Sequence, residues 1–156
     1  MKDTIFASNA TSTEGALDWS TDIEGVDWEE LSTLYRAVLG NKPAEHLRTV
    51  FSNSQFRCFV RRQGRLIAAG RALADGRDVA YIADIAVEQQ AQGSGIGRQI
   101  VQRLMQAARG HKKIILYSVP GKEAFYAKLG FKHMNTAMAV FVDEAAALRS
   151  GVLRTD

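Results

Sequence analysis

Apolar and polar residues alternate along the first half of the chain in segments that predict β-strands. Residues 17–21 and 56–62 show this alternation, and a Gln63-Gly64 turn leads from the second of them into residues 65–73. Residues 79–87 are apolar on both faces apart from one aspartate, which predicts a central strand. The last three segments together predict an antiparallel meander.

Helices are predicted where apolar residues recur every three to four positions. Asp27 is the predicted N-cap of a first helix that ends at Gly40, and Pro43 opens a second helix that runs to about Phe51. A third helix follows a glycine-rich loop and continues to Arg109, with one apolar and one polar face.

The remaining segments predict a strand, a short helix, another strand and a helical tail. The two strands are Ile114–Val119 and Met134–Val142, the short helix ends at Leu129-Gly130, and the tail begins at Asp143. The full order predicts an α+β fold: a mixed, largely antiparallel sheet of about six to seven strands with about four helices. The strand–helix–strand crossover is expected to be right-handed.

Composition adds limits to this interpretation. The 156 residues suit one domain, predicted over residues 15–156, and residues 1–14 are predicted to be flexible because they are polar with few apolar anchors. The chain has no apolar run long enough for a membrane span, no signal peptide and a single cysteine, Cys58, so we expect a cytoplasmic protein without membrane contact. The three histidines lack ligand spacing, and no metal is expected.

The glycine-rich loop is the clearest candidate for chemistry. Glycine-rich loops at helix N-termini bind anions through unpaired N–H groups, which suggests a phosphate-bearing ligand. A P-loop is excluded because Arg98, not lysine, follows Gly97, and a dinucleotide fingerprint is excluded because no acidic residue lies between Gln89 and Lys122. A glycine-rich turn without a ligand stays open as an alternative. The loop consists of Gln92, Gly93, Ser94, Gly95, Ile96 and Gly97.

The segment around the loop is basic and free of acids, which favours an anionic ligand. Most of these residues fall on the polar side of the predicted helix, so we expect only one or two to contact phosphate. Aromatic residues do not alternate with the basic ones, so a nucleic-acid partner is not expected. The basic residues are Arg98, Arg103, Arg109, Lys112, Lys113 and Lys122.

Two motifs resemble those of one family. The Gln-x-x-Gly-x-Gly loop resembles the pyrophosphate loop of the GCN5-related N-acetyltransferases, the GNAT family, and residues 124–131 resemble its Phe-Tyr-x-Lys-Leu-Gly-Phe segment. The predicted order of elements matches the GNAT fold from Leu17 onward. The resemblance implies splayed central strands, acetyl-CoA as cosubstrate, and a donor site made by the loop, Arg98 and Tyr126.

The strand before the loop carries a third resemblance. Asp84, Ile85, Ala86 and Val87 resemble the same strand in glucosamine-phosphate and plastid-type arylalkylamine (serotonin) acetyltransferases. The resemblance implies that Val87 binds pantetheine through its backbone and that Ile85 and Ala86 line the same slot. Ala83 stands where the glucosamine-phosphate enzymes have a Glu, which puts an amino-sugar phosphate in doubt. Family members often have a CoA-contacting Asn after the next strand, where this chain has residues 118–121, Ser-Val-Pro-Gly.

The resemblance implies two catalytic candidates, each with a structural alternative. Tyr126 corresponds to a tyrosine that protonates the departing thiolate, and its alternative is a half-buried tyrosine that caps a backbone group. Asp84 is an acid in an apolar strand, and by alternation it shares a face with Ile82 and Ala86. Burial would raise the pKa of Asp84 and suit a base for the amine, whereas an ion pair with an arginine such as Arg71 would make it structural.

The function expected from the resemblance is transfer of acetyl from acetyl-CoA to a primary amine of a small molecule, by direct attack in a ternary complex. The alternatives are a protein or peptide N-acetyltransferase and a CoA-binding module without catalysis. Family members often dimerise through their last strands, so a homodimer is one alternative, and the oligomeric state is left open. Cys58 is interpreted as a buried thiol rather than a nucleophile. The acceptor is left open, and five aromatic residues are candidates for a cage around it or for the core: Tyr35, Phe51, Phe56, Tyr81 and Tyr117.

Overall fold

The computed structural model describes residues 15–155, which form a five-stranded sheet with helices on both faces. The predicted flexible segment 1–14 lies outside the described residues. The elements, in chain order, are β1 (Leu17–Ser20), α1 (Trp28–Val38), α2 (Ala44–Ser52), β2 (Phe56–Arg62), β3 (Arg65–Ala74), β4 (Val79–Val87), a 3-10 turn (Gln89–Ala91), α3 (Ile96–Ala107), β5 (Lys113–Ile115), α4 (Glu123–Ala127) and α5 (Glu144–Arg149).

The sheet is mixed and largely antiparallel, as predicted. Strands β1 to β4 pair antiparallel in chain order, and β5 pairs parallel with β4 after the crossover through α3. The predicted bounds of β2 and β4 are confirmed, and β4 is flanked on both sides by other strands. Asp27 caps α1 through its carboxylate, which accepts hydrogen bonds from the N–H groups of Glu29 and Glu30, both 3.0 Å.

The predicted strand count was too high, and the error lies at the C-terminal end. The strand predicted over residues 114–119 is only three residues long, and residues 134–142 form no strand. A strand needs a partner edge as well as an alternating sequence. Within the described residues, the outer edge of β5 carries no further strand. The sheet therefore has five strands rather than six or seven, with five helices rather than about four.

Two apolar clusters hold the layers together, one on each face of the sheet. On one face, α1 and α2 cover the sheet through fully buried Tyr35, Leu47 and Phe51. On the other face, α3 packs through Ile100 and Leu104. The two clusters therefore hold α1 and α2 against one face of the sheet and α3 against the other. No helix within residues 15–155 has the length and apolar character that a bilayer span requires.

A cleft with a glycine loop, a tyrosine and a bulged strand

A cleft opens where β4 and β5 part. The two strands pair only as far as Tyr81 and Ile115, so the edge of β4 beyond Tyr81 is free of β5. The cleft there has a volume of about 640 Å³. Its walls come from the end of β4, the glycine loop, the end of α1 and residues 119–129. They include these predicted site residues: Ile85, Ala86, Val87, Gln92, Gly93, Gly95, Gly97, Arg98 and Tyr126.

The glycine loop gives the cleft a rim of backbone groups. Gly93 and Gly95 have φ values of +79° and +87°, and L side chains rarely adopt this left-handed region. Gly95 is also the N-cap of α3, where no side chain caps the first turn among the described residues. The first N–H groups of a helix have no partner within the helix and favour an anion. The loop can therefore offer backbone donors to a phosphate.

Val87 presents its backbone N–H to the cleft. In an antiparallel strand the N–H and C=O of successive residues point to alternate edges. The Glu88 N–H donates to Ile67 O on β3 at 2.8 Å. The backbone N–H and C=O of Val87 therefore face the other edge of β4, away from β3. The Val87 C=O accepts there from Gln92 Nε2 at 3.0 Å. Gln92 thus fixes the turn after β4 with its side chain and leaves the Val87 N–H toward the cleft.

The electrostatics of the cleft are cationic. Arg98, Lys122 and Lys128 line it, and none of the described residues in its walls carries a carboxylate. Arg103 and Arg109 line a different groove, between β1, β2 and the outer side of α3. Only part of the basic segment therefore faces the glycine loop, and that one or two of these residues contact phosphate stays a prediction.

Tyr126 lies in the wall of the cleft. It belongs to α4, and its ring meets those of Phe125 and Phe131 edge-on, at centroid distances of 4.9 and 6.0 Å. Burial raises the pKa of the Tyr126 hydroxyl. The group therefore stays protonated at neutral pH and can donate a proton into the cleft.

Asp84 occupies a β-bulge in β4. Its φ is 56°, in the left-handed region, and Gly70 on β3 faces both Asp84 and Ile85. Because of the extra residue, side chains after the bulge point to the opposite face of the sheet from the one that strict alternation predicts. Ile82 packs on the α3 side, whereas Ala86 packs on the side of α1 and α2. The predicted common face of Asp84 with both residues is therefore wrong, because alternation does not continue through a bulge.

The Asp84 side chain is the centre of an ion cluster. Its carboxylate accepts a hydrogen bond from Arg71 Nε at 2.6 Å and another from Lys42 Nζ. Its backbone C=O accepts from the Tyr35 hydroxyl at 2.5 Å. Burial alone would raise the pKa of the Asp84 carboxyl, but the hydrogen bonds and charges of Lys42 and Arg71 outweigh it and lower that pKa. The expected rise in pKa is thus wrong, and of the two alternatives for Asp84 the structure shows the ion pair with Arg71.

Three predicted site residues do not line the cleft: Asp84, Ser94 and Ile96. Ile96 is 2% exposed, and the Ser94 hydroxyl donates to Ala91 O at 2.5 Å. Val38 and Leu39 line the cleft at the end of α1 and were missed. Leu39 continues the apolar face of α1 up to Gly40. It is 37% exposed, so the apolar face of this helix extends beyond the part that packs in the core.

The candidate cage of aromatic residues is not assembled. Tyr35 and Phe51 are fully buried in the core, and Phe56 packs edge-on against His111. Tyr81 and Tyr117 are stacked on each other and partly exposed.

Cys58 is a buried thiol, as expected. It is 3% exposed, and burial raises its pKa to about 11, with the Arg103 charge opposing the rise. A thiol with this pKa is almost entirely protonated at neutral pH and is a poor nucleophile.

Comparison with known proteins agrees with this geometry. A family model described as "Acetyltransferase (GNAT) family" matches residues 17–131. Glucosamine 6-phosphate N-acetyltransferase 1 of Oryza sativa subsp. japonica is 38% identical over 87 residues, which are 50% of this chain and 52% of that protein. Serotonin N-acetyltransferase 2, chloroplastic, of the same plant is 41% identical over 70 residues, 44% of this chain and 35% of that protein.

The solved structures share the fold. A GNAT family acetyltransferase of Streptococcus pneumoniae superposes with a TM-score of 0.71 at 19% identity and covers 83% of this chain and 99% of its own. The chain spans about half the length of the first rice relative and about a third of the second.

Proposed function

Since this chain belongs to the GNAT acetyltransferase family, we propose that it transfers the acetyl group of acetyl-CoA to a primary amine of a small molecule within a ternary complex. One observation carries the proposal: a single cleft brings together the glycine loop, the free edge of β4 and Tyr126. The reaction type comes from the family. The cleft offers hydrogen-bond donors for phosphate in the glycine loop, a donor for the amides of pantetheine at the edge of β4, and a proton donor for the leaving thiolate in Tyr126.

The fit of acetyl-CoA to the residues present supports the donor site. The left-handed glycines Gly93 and Gly95 have no Cβ atoms, so the pyrophosphate can approach the backbone donors at these positions. Arg98 and Lys122 would add charge at the phosphates. The Val87 N–H would bind the pantetheine arm. Ser94 and Ile96 would contribute only their backbone N–H groups, because their side chains are engaged elsewhere.

The transfer needs one bond to form and one to break. The neutral amine nitrogen attacks the thioester carbonyl carbon, a C–N bond forms, the C–S bond breaks, and the thiolate leaves. Tyr126 donates its proton to that thiolate and recovers one from solvent. The proton lost by the attacking nitrogen passes to water.

Asp84 has a positioning role in this proposal. A carboxylate with a lowered pKa, held by two cations, is a weak acceptor for the amine proton. The same contacts hold the bulge that places Ile85 in the wall of the cleft. Asp84 would therefore hold in place the part of β4 that lines the cleft, where the amine would react.

A small-molecule acceptor is favoured over a basic peptide by charge. Lys42 and Arg71 carry two positive charges against the single negative charge of Asp84, so the cluster beside the cleft has a net charge of +1. This charge opposes the binding of a lysine-rich segment.

An acceptor screen tests the proposal. The chain is incubated with acetyl-CoA and a panel of aliphatic, aryl and sugar amines and peptides, and free thiol is measured with and without each acceptor. Thiol release that depends on a small amine supports the proposal. Release only with peptides supports the peptide enzyme, and thermal stabilisation by acetyl-CoA without any release supports a CoA-binding module. Either result would overturn the proposal.

We further propose that two copies of the chain form a homodimer through residues 134–142. Met138, Val140 and Val142 are 96%, 101% and 110% exposed, although the segment is apolar without interruption from Ala137 to Val142. The outer edge of β5 carries no strand within the described residues. Each copy thus holds a strand-forming segment and an open sheet edge, and a second copy can supply both partners.

A further inference from the structure

A partly exposed aromatic surface lies beside the cleft, on the face of the sheet opposite α3. Leu73 on β3 pairs directly with Tyr81 on β4. Tyr81 stacks on Tyr117 at a centroid distance of 6.2 Å and an interplanar angle of 16°, and Phe141 meets Tyr117 edge-on at 6.1 Å. We call these four residues the aromatic platform. Tyr117 is 60% and Leu73 40% exposed, so one side of the platform is open to solvent.

The face on which the platform lies follows from its neighbours in the strands. Ala72 and Ile82 pack into the cluster beneath α3. Because side chains alternate along a strand, Leu73 and Tyr81 point to the opposite face. The platform therefore lies on the same face as α1 and α2, and its exposed part is the area that these helices leave uncovered.

The platform adjoins the cleft at the point where the strands separate. Tyr81 is the last residue of β4 that pairs with β5. Val119, two residues beyond Tyr117, lines the cleft. The ion cluster lies close to the platform along the same strand, since Asp84 follows Tyr81 by three residues in β4.

We propose that the aromatic platform is the acceptor subsite and that the acceptor is a primary amine carrying an aromatic ring, which stacks on the exposed side of Tyr117. The inference rests on the proposed acetyl transfer. The glycine loop and α3 occupy one side of the cleft, so an acceptor that approaches from the other face reaches the free edge of β4 across this platform. Exposed aromatic surface next to a reaction cleft is suited to hold a flat apolar group.

The neighbouring charges narrow the acceptor class further. The cluster of Asp84, Arg71 and Lys42 has a net charge of +1, and the Lys42 side chain is 27% exposed. A second ammonium group on the acceptor would be repelled there. The platform therefore fits a monoamine rather than a polyamine.

A matched pair of acceptors tests the ring requirement. 2-Phenylethylamine and 2-cyclohexylethylamine place the amine at the same distance from a six-membered ring, and only the first ring is aromatic. We expect the wild-type chain to prefer the phenyl compound in kcat/KM by about tenfold, the size of one good stacking contact. Tyr117→Leu removes that preference and leaves the KM for acetyl-CoA unchanged. Tyr117→Phe keeps the ring and keeps the preference.

The outcomes separate this inference from the proposed function. Thiol release with equal rates for both acceptors, or a phenyl preference that survives Tyr117→Leu, overturns the platform and leaves acetyl transfer standing. Absence of thiol release with every amine overturns both. Phe141→Leu is the second variant: it removes the ring packed on Tyr117, and a several-fold loss of the phenyl preference is expected from the looser Tyr117 ring. An unchanged preference in both variants contradicts the inference.

Discussion

The Nε–H of Arg71 on β3 donates to the Asp84 carboxylate on β4 over 2.6 Å, across the bulge that shapes the cleft. Arg71 also reaches the turn after α2, where its Nη1 donates to the Ser54 hydroxyl at 3.3 Å, and that hydroxyl donates in turn to Val50 O of α2 at 2.7 Å. The pair ties the strand that lines the cleft to the helical layer above it. Both side chains are 12% exposed, so the charges depend on each other more than on water.

Acid should weaken the fold through Asp84. Its pKa is lowered in the folded state, so the ion cluster stabilises the protein above the unfolded pKa of about 4, and this contribution is lost as the pH falls through the folded pKa. We expect Asp84→Asn to lower the free energy of unfolding by about 3 kcal/mol at pH 7. Urea denaturation at pH 7 and at pH 3 measures the change, and the gap between variant and wild type should narrow in acid. Asp78→Asn is the control, since its pair with Lys112 is exposed.

Gly70→Ala should disturb the same bulge by steric overlap. A Cβ at Gly70 would lie 2.6 Å from Ile85 Cδ1 and 2.7 Å from Ile100 Cγ2; Ile100 is fully buried in the core, and Ile85 packs against the same cluster. We expect a loss of about 1–3 kcal/mol of stability and a higher KM for acetyl-CoA, because Ile85 lines the cleft. Gly110→Ala is the control, since nothing lies within 4 Å of its Cβ. Equal melting temperatures for the two variants would show that the bulge accepts the methyl group.

Tyr126→Phe should lower kcat by about a hundredfold with little change in the KM for acetyl-CoA. The substitution keeps the ring contacts with Phe125 and Phe131 and removes only the hydroxyl. Because burial raises the pKa of Tyr126, the wild-type rate should fall only at high pH, where the hydroxyl loses its proton. A pH profile of kcat in both proteins checks this, and an unchanged kcat in the variant would remove the general-acid role.

Local sequence predicted the helices and most strands because each carries its own periodicity and caps. The N-cap at Asp27 and the bounds of β4 could be predicted from the local sequence alone. The bulge at Asp84 was not predictable in this way, since its left-handed backbone is held by Tyr35, Lys42 and Arg71 from other elements. A single aspartate in an apolar strand indicated a special position but not its geometry.

The C-terminal part of the chain differs for a related reason. Residues 134–142 end in an unbroken apolar run, Ala137–Val142, which favours a strand, but a strand also requires a neighbouring edge, which the local sequence does not reveal. The cleft was predicted from the glycine loop and Tyr126, whereas the contribution of Leu39 depends on where α1 ends relative to β4. Contacts between distant elements are thus the part of the site that the sequence left open.

Arg98→Ala should weaken the binding of acetyl-CoA through its phosphates. Arg98 lines the cleft beside the glycine loop, and loss of one charge-assisted contact is expected to raise KM about tenfold. S-Acetylpantetheine lacks the phosphates, so its KM should not change in the variant. Arg109→Ala removes the same charge from the groove on the outer side of α3 and serves as the control. A similar loss in both variants would indicate a general effect of charge rather than a contact.

Val140→Glu should separate the proposed homodimer into monomers. The Val140 side chain is fully exposed in the single chain, so the charge costs nothing there, whereas in a paired strand it would be buried between two copies. Sedimentation equilibrium at micromolar protein should give twice the chain mass for the wild type and the chain mass for the variant. Asn135→Glu is the control: it adds the same charge at an exposed position whose side chain would point to the opposite face of a strand, and it should stay dimeric. A monomeric wild type would rule out the homodimer, and a dimeric Val140→Glu would place its interface elsewhere on the molecule.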